Sequence, residues 1–319
     1  MTTASPHISV MLDEVLETLA PTDGEVYVDG TFGAGGYTRA ILEAADCVVL
    51  AIDRDPAALG VAENFKKEFG DRFVFLRGCF GDVKSLIANA GYDAVNGFVL
   101  DIGVSSMQID QAERGFSFKN DGPLDMRMDT KADLTAANIV NTYDQDDLAD
   151  VIYKYGEERK SRRIAQKIVE RRIEEPFKTT AQLAEVVASA LPKSKHQKTD
   201  PATRTFQALR IAVNDELGEL ERALKGAPEI LKEDGRLVVV SFHSLEDGLV
   251  KQTLREQSGR IEGGSRHLPP QTASMPKLYT LPKAKALKPT QGEVDANPRS
   301  RSARLRYAVR TDQVTEAAR

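Results

Sequence analysis

Three aspartates each close a short apolar run: Asp29 after Val26-Tyr27-Val28, Asp53 after Val48 to Ile52, and Asp101 after Phe98-Val99-Leu100. The first is followed by Gly30, Gly33, Gly35 and Gly36, then by a helical pattern from Tyr37 to Glu43. Strand, glycine turn, helix lets a nucleotide-like ligand approach the backbone, because glycine carries no Cβ to block it. Asp53, at the end of the next strand, can accept hydrogen bonds from both ribose hydroxyls of an adenosine. The glycines run G-x-G-G rather than G-x-G-x-x-G, and no helix N-terminus is laid out for a pyrophosphate. The pattern fits an adenosine without a diphosphate, and so S-adenosylmethionine better than NAD. The plain alternative is a turn whose glycines serve geometry alone; Asp53 weighs against it.

In an open parallel sheet, ligands sit beyond the carboxyl ends of the strands. Asp29, Asp53 and Asp101 all fall at such ends, so three carboxylates are expected to converge on one crevice, although a single strand-terminal Asp is often only a turn cap. Methyl transfer from a sulfonium needs alignment of donor and acceptor more than acid–base machinery. For an amine acceptor, Asp101 or nearby carbonyls can accept from the N–H groups and help localise the lone pair. Methylation of a pyrimidine carbon would need a cysteine nucleophile. Cys47 begins a strand and Cys79 precedes Phe80 on the cofactor side, so carbon methylation is disfavoured. Ser241-Phe242-His243-Ser244-Leu245-Glu246-Asp247 holds no G-x-S-x-G elbow. It reads as a helix start with Ser244 as cap and Asp247 three residues on, and His243 or Phe242 is a candidate to meet a substrate base.

Beta–alpha alternation must position these groups. Strands are expected at 25–29, 47–52, 72–76 and 94–101, with helices near 36–44, 56–68 and 82–90, behind an amphipathic helix over 9–19. Such alternation implies a parallel sheet with right-handed crossovers. From about 134 to 190 the pattern is helical, and one helix is expected from Phe206 to Leu224. Arg236 to Phe242 returns to the sheet, 258–298 reads as a long loop, and Leu305, Tyr307 and Val309 give a last antiparallel edge strand. The economical architecture is an α/β domain formed by 1–109 and 206–319, interrupted by an all-helical insert over 110–205.

The 319 residues carry a net charge of −5, which hides a segregation. Residues 1–150 hold 11 Lys/Arg against 26 Asp/Glu, residues 151–210 hold 14 against 7, and residues 251–310 hold 13 against 4. Two basic segments beside an acidic body suggest a polyanion held at one face. Candidate phosphate contacts are Arg159, Arg162, Arg163, Lys193, Lys195, Arg299 and Arg301. Two cysteines and four histidines show no disulfide framework or metal-ligand spacing, so no metal is expected. No run approaches 18 apolar residues and no signal peptide is visible, so a cytoplasmic protein without a membrane partner is expected.

Longer strings carry a resemblance. Asp29-Gly30-Thr31-Phe32-Gly33, Ala51-Ile52-Asp53-Arg54-Asp55, Glu113-Arg114-Gly115-Phe116-Ser117-Phe118 and Gly122-Pro123-Leu124-Asp125-Met126-Arg127-Met128-Asp129 are four of them. Tyr155-Gly156-Glu157-Glu158-Arg159, Ala202-Thr203-Arg204-Thr205-Phe206-Gln207-Ala208, the 241–247 run and Asn297-Pro298-Arg299 are the others. From His7 to about Arg310 the chain resembles the bacterial small-subunit (16S) rRNA cytosine-N4 methyltransferases, the RsmH or MraW family. The resemblance implies a class I S-adenosylmethionine-dependent methyltransferase fold (Rossmann-like) with a helical insert that recognises RNA. It implies S-adenosylmethionine as donor and, as substrate, a decoding-centre cytidine methylated on N4, in 16S rRNA or an assembled small subunit; a homodimer is compatible with it. Cofactor contacts carry over to Gly33, Gly35, Gly36 and Tyr37, to Asp53, to Phe80 near the adenine, and to Asp101 and Gln108 at the methionine end. Asp101 and His243 are the catalytic candidates. Tyr37 stands where the family commonly has His, and Met107 where it often has Pro. The run after Asp101 lacks the aromatic fourth residue of DNA amino-methyltransferases. Rival expectations are an RNA-binding assembly factor without catalysis and an NAD-dependent dehydrogenase.

Overall fold

A computed structural model describes residues 9–191, 200–260 and 277–311. The chain divides into two compact units, one of residues 1–103 with 218–319 and the other of residues 104–217.

In chain order, the first unit opens with α1 (Leu12–Leu19), β1 (Val26–Asp29), α2 (Gly36–Ala44), β2 (Val48–Asp53), α3 (Ala58–Phe69), β3 (Phe73–Arg77), α4 (Val83–Asn89) and β4 (Val95–Asp101). The helical unit then holds α5 (Ser106–Asp110), α6 (Ala136–Thr142), α7 (Gln145–Gly156), α8 (Ser161–Glu174), α9 (Thr180–Ala190) and α10 (Thr203–Asn214). The chain returns through α11 (Glu216–Ile230) to β5 (Leu231–Ser241), α12 (Ser244–Gln257), β6 (Tyr279–Thr280), α13 (Gln291–Ala296) and β7 (Arg304–Arg310). The sheet has the order β3-β2-β1-β4-β5-β7-β6. Its first five strands are parallel, and β7 runs antiparallel to both β5 and β6. This is the class I Rossmann-like architecture.

Alternate side chains of each central strand enter opposite layers, as a pleat requires. Val49, Ala51, Val99, Val238 and Val240 join one core with Phe32, Ile41 and Phe65. Leu50, Ile52, Phe98, Leu100, Leu237 and Val239 join the other with Leu220, Leu224 and Val250. Burial on both faces is why these strands read as unbroken apolar runs.

The helical unit has its own core, with Leu148, Ile152, Ile164, Ile168, Leu183, Phe206 and Leu209. Thr135 and Thr179 start α6 and α9 with reciprocal capping boxes to Asn138 and Gln182. The Glu113–Phe118 and Gly122–Asp129 strings interlock: Arg114 Nη2 donates to the carbonyls of Arg127 (2.9 Å) and Met128 (3.0 Å). Buried Asn214 accepts from Met128 N at 2.7 Å and donates to Met126 O at 2.8 Å. It thereby holds Met126 at a left-handed φ of 65°.

Four expectations change. The boundaries at 110 and 205 lie inside the helical unit, because α10 packs on α7. The helix expected over 206–224 breaks at Asp215, whose φ of 49° ends α10 before α11 begins. β7 is not at the edge, because Tyr279, fully buried, and Thr280 pair outside it. The expected loop over 258–298 contains β6, α13 and a bridge from Leu287 to Leu305, while its residues 261–276 lie outside the described residues. Among the described residues no helix is long and apolar enough to cross a membrane.

Candidate active site

The turn after β1 is tied to both neighbouring strands: Gly30 N donates to Val99 O (2.9 Å) and Phe32 N to Ile52 O (3.0 Å). Gly35 sits at φ +81°, and a Cβ there would lie 2.3 Å from the Phe65 ring, so only glycine fits. Gly33, at φ +52°, has open space where its Cβ would be, with nothing nearer than 3.8 Å. Gly36 opens α2 with Gly35 as N-cap and no side-chain cap. A helix N-terminus therefore does face the turn, contrary to expectation. Ser9 Oγ lies 1.8 Å from where a Gly36 Cβ would be, so the N-terminal segment covers that point. Tyr37 turns inward, almost fully buried, and its hydroxyl donates to Val10 O. Its backbone, not its phenol, is what the turn presents. Glu293 Oε1 accepts from Met11 N at 2.7 Å and completes the clasp on residues 9–11.

Asp53 Oδ2 accepts from Gly33 N (2.7 Å) and Oδ1 from Asp55 N (2.8 Å). Burial raises its pKa, and the two backbone N–H groups oppose the rise. Each carboxylate oxygen has two acceptor sites, so both retain capacity for a ribose hydroxyl. Phe80 begins a single 3₁₀ turn after β3, with its Cβ 3.2 Å from where a Gly30 Cβ would be.

Asp29 is buried, accepting from Thr38 Oγ1 (2.7 Å) and Thr31 N (3.1 Å), and burial lifts its pKa to about 6. Asp101 N donates to Thr31 Oγ1 at 2.7 Å, but the Asp101 carboxyl has no such support. Burial, then the charges of Asp29 and Glu246, raises it to about 8.

Glu246 was missed as a site residue in the sequence. α12 is capped by His243, not Ser244: His243 Nδ1 accepts from Glu246 N (3.4 Å), and Glu246 Oε2 accepts from His243 N (3.2 Å) and Phe242 N (2.8 Å). His243 Nε2 lies 2.8 Å from Glu246 Oε1, off the axis of a hydrogen bond. Asp101 pairs in register with Val240, so the Asp101 and His243 turns leave neighbouring strands at one edge. Asp101 Oδ1, His243 Nε2 and Glu246 Oε1 are all buried without a hydrogen bond. Buried polar atoms are nearly always bonded; His243 Nε2 and Glu246 Oε1 face each other at 2.8 Å, which leaves Asp101 Oδ1 as the acceptor that most clearly marks a place for a ligand's donor. The signal for Glu246 was its spacing of three from His243.

Gln108 lies in the helical unit, buried, where its Oε1 accepts from Ser105 N (3.0 Å) and its N–H donates to Ser105 Oγ (3.2 Å) in the capping box of α5. Also in that unit, Arg159, Lys160, Arg162 and Arg163 are exposed around the start of α8. Arg299 and Arg301 are exposed in a 3₁₀ turn of the first unit; Lys193 and Lys195 lie outside the described residues. Burial raises the thiols of Cys47 and Cys79 to about 11. Among the described residues no group of His, Cys, Asp or Glu could hold a metal ion.

The sequence model of the MraW methylase family matches residues 4–311. The "Ribosomal RNA small subunit methyltransferase H" of Rhodospirillum rubrum is 56% identical over 316 residues, covering 98% of this chain and 96% of that protein. The protein of the same name from Hyphomonas neptunium is 57% identical over 306 residues, covering 96% and 89%. That of Caulobacter vibrioides is 54% identical over 316 residues, covering 99% of each.

Proposed function

The chain belongs to the MraW methylase family, and we propose that it transfers a methyl group from S-adenosylmethionine to the exocyclic N4 of a decoding-centre cytidine in small-subunit (16S) ribosomal RNA. The observation that carries this reading is the buried, unpartnered Asp101 Oδ1 at the end of β4, beside the orphaned atoms of His243 and Glu246. The glycine turn and the Asp53 carboxylate suit the adenosine of the donor, and Asp101 suits its cationic methionine end. When bound, the donor supplies a methyl carbon whose bond pair leaves with sulfur as the amine attacks.

The protein's part is alignment. A carboxylate with four acceptor sites can hold the donor's ammonium and accept from a cytosine N4–H at once, placing the two reactants against each other. The amine that attacks becomes cationic, and the proton it then sheds passes to Asp101 or to water. Transfer to carbon would need a thiolate, and thiols raised to about 11 stay protonated at neutral pH. The exposed cations at the start of α8, with Arg299 and Arg301, suit RNA phosphates.

The test is mass spectrometry of small-subunit rRNA from cells lacking the protein. A cytidine methylated on the exocyclic nitrogen should disappear, and return with the intact gene but not with Asp101→Ala. Loss of a ring-carbon methyl instead would refute the N4 assignment. No transfer of labelled methyl by purified protein to small subunits would favour an assembly factor.

A further inference from the structure

The turn between β5 and α12 is fixed by one side chain. Glu246 is fully buried, and its Oε2 gathers the N–H groups of Phe242 and His243. His243 Nδ1 accepts from Glu246 N. A ring nitrogen that accepts carries no proton, so the proton of the neutral imidazole lies on Nε2. That N–H is buried and makes no hydrogen bond, Glu246 Oε1 lying 2.8 Å away but off its axis, and one strand away the Asp101 Oδ1 acceptor is also buried and unbonded. A lone donor and a lone carboxylate acceptor at one edge complement a nucleobase that shows a ring-nitrogen lone pair next to an amine. Cytosine shows that pair at N3 and N4, whereas uracil shows the reverse, an N3–H next to O4.

We propose that His243 Nε2–H reads N3 of the acceptor cytosine while Asp101 accepts from its N4–H, and that Glu246 is the positioning residue that holds the imidazole for this. The inference rests on the proposed function and adds the source of base selectivity. Uridine would set N–H against N–H and carbonyl against carboxylate, leaving two buried groups unpaired on each side. Sites built to hydrogen-bond a group reject analogues lacking it more strongly than apolar pockets do. The Phe242 ring lies 3.6 Å from where a Gly103 Cβ would be, so the same turn also brings an aromatic ring to this edge.

The probe is small-subunit RNA in which the methyl-accepting residue is either cytidine or 3-deazacytidine, whose C–H replaces N3. Single-turnover transfer from saturating S-adenosylmethionine gives a rate ratio for the two RNAs. Comparing that ratio between proteins cancels the intrinsic reactivities of the two amines. His243→Asn keeps a capping acceptor at the Nδ1 position but has nothing at Nε2. Its preference for cytidine should fall about tenfold relative to the wild type, the size expected for a lost buried hydrogen bond. Glu246→Gln should show the same loss of preference, with donor affinity by calorimetry within about twofold. A purely structural role for Glu246 would slow both RNAs equally and leave the ratio unchanged. If Glu246→Gln does not fold, as judged by lost donor binding, His243→Asn decides alone. An unchanged ratio in His243→Asn overturns the inference while leaving N4 methylation intact. Absence of N4 methylation altogether overturns the proposed function first.

Discussion

Asp101 should couple donor binding to proton release. Its carboxyl is raised to about 8 by burial first, then by the charges of Asp29 and Glu246. At pH 7 such a group is about nine-tenths protonated, one pH unit below its pKa. A cation arriving beside it favours the ionised form, so the proton must leave. The sign follows: affinity for S-adenosylmethionine rises with pH from about 6 towards 8, by roughly tenfold per unit, or about 1.4 kcal/mol. An α-amino group titrates near 7.7–8.0, so the series stops at about pH 7.5, where the donor's own amine is still mostly charged. Calorimetry at pH 7 in phosphate and in Tris should differ by the heat of transferring about nine-tenths of a proton to the buffer. Asp101→Asn should remove both the buffer dependence and the pH slope, with affinity falling to roughly that of the protonated wild type. Identical heats in the two buffers, with a flat Kd from pH 6 to 7.5, would refute the coupling and place the donor's charge elsewhere.

Asp53→Ala should weaken S-adenosylmethionine about 10- to 100-fold by calorimetry, because hydrogen bonds to a charged acceptor are worth about 1.5–3 kcal/mol; unchanged affinity in a folded protein would remove Asp53 from the ribose. Gly35→Ala combines a positive φ with a Cβ 2.3 Å from the Phe65 ring, so thermal unfolding should show a loss of about 2 kcal/mol or more. Charge reversal at Arg159, Lys160, Arg162 and Arg163 should flatten the salt dependence of RNA binding while donor binding persists. RNA affinity that ignores salt would show that phosphates are not what these side chains meet.

The central strands were legible because each is buried on both faces and must be apolar throughout; Val48 to Asp53 is found where the run of side chains placed it. The aspartates were legible for the same reason: a polar residue ending such a run marks the strand's carboxyl edge. The break at Asp215 was not, because a left-handed non-glycine residue is rare and leaves the apolar stripe of Leu209, Val213, Leu217 and Leu220 intact. His243 as a cap was hidden by Ser244, the residue type that caps more often. β6 is two residues long in a Pro- and Lys-rich stretch, too short for any period to show. Ser9 over Gly36 and the inward phenol of Tyr37 are contacts across the fold, with no local signal at all.

The clasp on residues 9–11 has a consequence for how the chain is made. Met11 N and Glu293 Oε1 are 282 positions apart, and β5 waits for β7 in the same way. During synthesis the amino-terminal strands and the glycine turn emerge early, in time for β1 to β4 to associate. The segment that lies over Gly36 keeps only the Tyr37 half of its clasp until α13 has left the ribosome. A nascent or carboxyl-truncated chain that lacks α13 therefore carries the glycine turn with the Tyr37 bond to Val10 in place but without the Glu293 bond to Met11.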